Sequence, residues 1–115
     1  MFKTDLECRY ISRGVWELIA PLEYLALDGE VIIVPTGFTT DGASIPCWAW
    51  WLIGTPWNGK YSKGAVIHDF LCMSALVTRE RADMVFLECM KELGVSEWRR
   101  SLMYFAVRVA SGFTR

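Results

Sequence analysis

Histidine is almost missing from this 115-residue chain, in which His68 stands alone. Sites that need two or three histidine ligands, such as the His-Glu-x-x-His zinc peptidases, cannot be built from it. Net charge is almost missing too, since 12 Lys and Arg against 13 Asp and Glu leave −1. That balance excludes the basic footprint of a nucleic-acid binder and the dense acidity of a nucleic-acid mimic. The four cysteines, Cys8, Cys47, Cys72 and Cys89, contain no Cys-x-x-Cys pair, so reduced, buried thiols are expected rather than a disulfide framework. Long apolar runs are lacking as well. The longest, residues 45–53, is about half of the roughly 20 residues a membrane-spanning helix requires. Lys3, Asp5 and Glu7 at the start give no apolar stretch of the kind an export signal carries.

What remains is a chain that is 53% hydrophobic and 22% charged, enough apolar surface to offset chain entropy and fold without a partner. One domain over residues 1–115 is expected, strand-rich at 1–35, a polar loop at 36–46 and helical at 46–112. Residues 6–11 and 16–20 read as strands around a Ser12-Arg13-Gly14 turn. Residues 24–27 and 31–34 flank Asp28-Gly29, the pattern of a hairpin with a type I′ turn. Pro35, Gly37, Gly42 and Pro46 break the pattern, and a short helix is expected at 45–53 with Ser44 near its cap. Ser62 and Thr78 can cap two further helices, the second carrying Ala82, Val85, Phe86, Cys89, Met90 and Leu93 on one face before Gly94. Ser96 opens a last helix in which Trp98, Leu102, Phe105, Ala106 and Val109 repeat that spacing. Strands followed by helices predict an α+β fold, a small antiparallel sheet of hairpins with three to four helices packed on one face.

Two places could carry chemistry. The loop from Gly37 to Ser44 sets Asp41, Thr40 and Ser44 between glycines, where they could bring oxygen ligands or a hydroxyl to a substrate. The plainer reading is an Asx-type turn with a capping serine. His68-Asp69 offers a proton-transfer group beside a carboxylate, with Cys72 one turn further on. Adjacent helical side chains point about 100° apart, and a His with a Cys one turn away is also what an apolar core contains. Trp48, Trp50, Trp51 and Trp57 make either a core wedge or a docking patch with weak interfacial character. Arg99, Arg100 and Arg108, with Arg79 and Arg81, are expected on solvated faces pairing with Asp83, Glu88 and Glu92.

The ordered set Val34-Pro35-Thr36-Gly37-Phe38, Thr40-Asp41-Gly42-Ala43-Ser44-Ile45-Pro46, Trp51-Leu52-Ile53-Gly54 and Ala65-Val66-Ile67-His68-Asp69-Phe70-Leu71 resembles a phage and prophage family, domain of unknown function 1353. The tail, from Arg81-Ala82-Asp83 through Leu93-Gly94-Val95 to Met103-Tyr104 and Ala106-Val107-Arg108, is similar to the same family, so the resemblance covers about 34–112. Cys47 and Cys72 stand where the family has a basic and an aromatic residue. The resemblance implies a bacteriophage origin, in the host cytoplasm or on the virion, and no activity.

Two functional readings follow. In one, the protein is a phage accessory or virion-associated protein that contacts a host or phage protein, and Asp41, Ser44, His68, Asp69 and Asp83 form a hydrogen-bond network. Its contact residues would include Trp48, Trp51, Thr40, Asp83 and Arg108. In the other, these polar groups line the cleft of a small hydrolase or metal-assisted enzyme. There His68 is the acid/base, Asp41 and Asp69 orient it or share a divalent metal with it, and Ser44 touches substrate.

Overall fold

The computed structural model describes residues 1–40, 62–75 and 77–110, and the chain divides into two compact units, residues 1–41 and 42–115. The architecture is α+β, antiparallel strands followed by helices. The helix expected at 45–53 lies outside the described residues.

In the first unit β1 (Cys8–Ser12) and β2 (Val15–Leu18) pair antiparallel, with Cys8 opposite Leu18 and Tyr10 opposite Trp16. Only Arg13 and Gly14 join them, both with positive φ, 50° and 77°. Two consecutive left-handed residues make a type I′ turn, whose twist suits a hairpin. β3 (Leu22–Leu25) and β4 (Val31–Val34) form a second antiparallel pair. The expected hairpin is therefore present, but its turn is not type I′. Positive φ is confined to Gly29 in that turn, the Gly29 amide donates to the Ala26 carbonyl at 3.0 Å and the Ala26 amide to the Glu30 carbonyl at 2.9 Å. The carboxylate of Asp28 accepts from the Glu30 amide at 3.0 Å. This is a three-residue loop ending in a left-handed glycine. Asp28 keeps an ordinary backbone because its side chain satisfies the amide two residues on.

β5 (Thr39–Thr40) extends the first sheet, giving the order β1-β2-β5. The other edge of β3 is taken by the N-terminal residues. The Lys3 amide donates to Glu23 at 2.8 Å, the Leu25 amide to Met1 at 2.7 Å, and the Phe2 ring packs on Tyr24 with centroids 4.8 Å apart. Alternation along the second pair buries Leu22, Tyr24, Ile32 and Val34 and leaves Val31 and Ile33 outside, as a sheet with one dry face should.

The second unit holds α1 (Ser62–Ser74), α2 (Arg79–Glu92) and α3 (Glu97–Ala110). Thr78 caps α2 as expected, its side chain accepting from the Arg81 amide at 3.1 Å. Gly94 ends that helix with φ 83°, while the Gly94 amide reaches the Lys91 carbonyl and the Val95 amide the Met90 carbonyl. Those two bonds are a Schellman motif, closed by the buried Val95. Ala65, Phe86, Met90, Val95, Met103, Ala106 and Val107 form one apolar cluster drawn from all three helices and the α2–α3 turn. α3 departs from expectation. It buries Met103, Ala106 and Val107, whereas Trp98, Leu102, Phe105 and Val109 are exposed.

Candidate functional site

α1 is buried from Gly64 through Asp69 without a break, so it has no wet side at its middle. His68 and Asp69, though about 100° apart on the helix, are both inside for that reason. On α2 the apolar stripe of Phe86 and Met90 continues one turn back to Asp83, which is as buried as they are. A buried carboxylate is costly unless ionic and hydrogen-bonding partners meet it. Asp83 has both. His68 Nε2 lies 2.6 Å from its Oδ1, and Arg108 Nη1 donates to its Oδ2 at 2.9 Å.

One carboxylate of α2 thus joins α1 through His68 and α3 through Arg108. The side chains of His68 and Asp83 are 0% exposed and that of Arg108 16%. Paired with a guanidinium, the carboxylate is an acceptor, which makes Nε2 the protonated ring nitrogen. The Phe86 ring lies beside the imidazole with centroids 5.0 Å apart. Cys72 Sγ is 3.6 Å from Nε2 and 3.9 Å from Nδ1 of His68. A sulfur on the lone-pair axis of either nitrogen would be far nearer to that one, so this contact is packing against the ring rather than a directed bond.

Of the residues singled out from sequence, the structure brings together His68, Asp83 and Arg108. The pairing of Arg108 with Asp83 was expected on a solvated face, and that expectation is corrected, because the pair is inside. Charge alone pairs the two in sequence, while the position of Asp83 in line with Phe86 and Met90 is the signal for burial. Asp69 is buried on α1. Thr40 is buried at the end of β5 in the other unit. Asp41, Ser44, Trp48 and Trp51 lie outside the described residues, and with them most of the Thr40–Ser44 loop whose polar groups were expected in one network with His68. Among the described residues no group of three or more His, Cys, Asp or Glu could hold a metal ion. Burial raises the Cys8 thiol above its ordinary value, so it stays protonated near neutral pH and is a poor nucleophile. Among the described residues no helix is long and apolar enough to cross a membrane.

Comparison with known proteins places these elements in a wider group. The profile described as "Protein of unknown function (DUF1353)" matches residues 16–107, and so reaches back into β2, β3 and β4. Two relatives come from Sinorhizobium fredii (strain NBRC 101917 / NGR234). "Uncharacterized protein y4jT" is 38% identical over 95 residues, 83% of this chain and 28% of the relative. "Uncharacterized protein y4iH" is 37% identical over 90 residues, 78% of this chain and 38% of the relative. The chain therefore corresponds to well under half the length of either. No solved structure matches. With four-fifths of its length under that profile and two such relatives, the chain belongs to the DUF1353 family, proteins of unknown function.

Proposed function

We propose that this is a bacteriophage or prophage accessory protein, in the host cytoplasm or on the virion, that acts through contacts with a host or phage protein and carries no catalytic centre at His68. The observation behind this reading is the burial of His68 and Asp83, each 0% exposed, with both carboxylate oxygens of Asp83 engaged. A general acid or base must come within hydrogen-bonding reach of a substrate. A buried imidazole of α1 held on the Asp83 carboxylate of α2 serves instead as a cross-brace, and the near-zero net charge gives no support to a nucleic-acid partner.

Thermal melts of His68→Ala and Asp41→Ala beside the parent, with and without divalent cations, test it. His68→Ala removes one of the two partners of a buried carboxylate, leaving it to Arg108, and should cost about 1–3 kcal/mol, lowering Tm by several degrees. The competing enzyme, with Asp41, His68 and Asp69 around a metal and Ser44 on substrate, requires unchanged melting in buffer together with a cation-dependent rise in Tm confined to the parent. That outcome would overturn the proposal.

A further inference from the structure

We draw no further inference here: the strongest candidate, the half-buried Arg79 in the first turn of α2, whose Nε is buried without a hydrogen-bond partner, rests on a helix N-terminus, and no second observation among the described residues points to an anion that it would hold.

Discussion

The carboxylate of Asp83 is tightly constrained, because it is held by side chains of two other helices and has no access to water. Removing one partner of a buried pair typically costs about 3–5 kcal/mol, since the other charge is left without compensation. Asp83→Ala should therefore lower Tm by about 10–20 °C. Combining it with Arg108→Met should recover part of that loss, since the stranded guanidinium is then gone. The double-mutant cycle should show a coupling above about 1 kcal/mol. Additive losses would mean that the two side chains do not interact in solution. Asp83 was open to sequence reading, three positions before Phe86 and seven before Met90. Its true partner in α1 was less so. His68 and Asp83 are fifteen positions apart on separate helices, and no periodicity links them.

Elements whose limits are set by local chemistry were legible. Thr78 and Gly94 bound α2 in sequence and in space, because a side-chain cap and a left-handed terminus need no tertiary help. The face of α3 was not legible for a physical reason. Apolar residues lie on most sides of that helix, and the longer regular series, Trp98 to Val109, is the one left outside, while the smaller set of Met103, Ala106 and Val107 fills the space beside α2. Close approach between α1 and α2 depends on Gly64. A Cβ there would stand 3.0 Å from Met90 Cε and 3.3 Å from Cys89 Cβ. The methionine end can swing aside; the cysteine Cβ moves only with α2. Gly64→Ala also gains helix propensity of about 1 kcal/mol, so it should stay within about 1 kcal/mol of the parent. Gly64→Leu has no such room and should cost about 1–3 kcal/mol or more. Urea midpoints measure both, and a Gly64→Leu protein as stable as the parent would refute the tight α1–α2 seam.

For the whole molecule, the order of strands before helices was legible, and the boundary between the two compact units, at residues 41 and 42, falls within the stretch that the sequence marks as a polar loop. Each unit has its own buried set. Leu18, Leu22, Tyr24 and Val34 belong to the first, and the cluster around Phe86 and Met90, with the Asp83 network, to the second. Cooperative units open with their own free energies, which native-state hydrogen exchange reports amide by amide. Two groups of slow amides are expected, one in β2 to β4 and one in α1 to α3. The helical group should be the slower, because three helices share both an apolar cluster and a buried ionic junction while the strand pairs are short. Asp83→Ala sharpens the test: it should speed exchange across α1, α2 and α3 together and leave β3 and β4 at the parental rate. If instead all protected amides slow and quicken as one group in parent and variant alike, the two units unfold as a single cooperative body, and the Asp83 junction braces the whole chain rather than the helices alone.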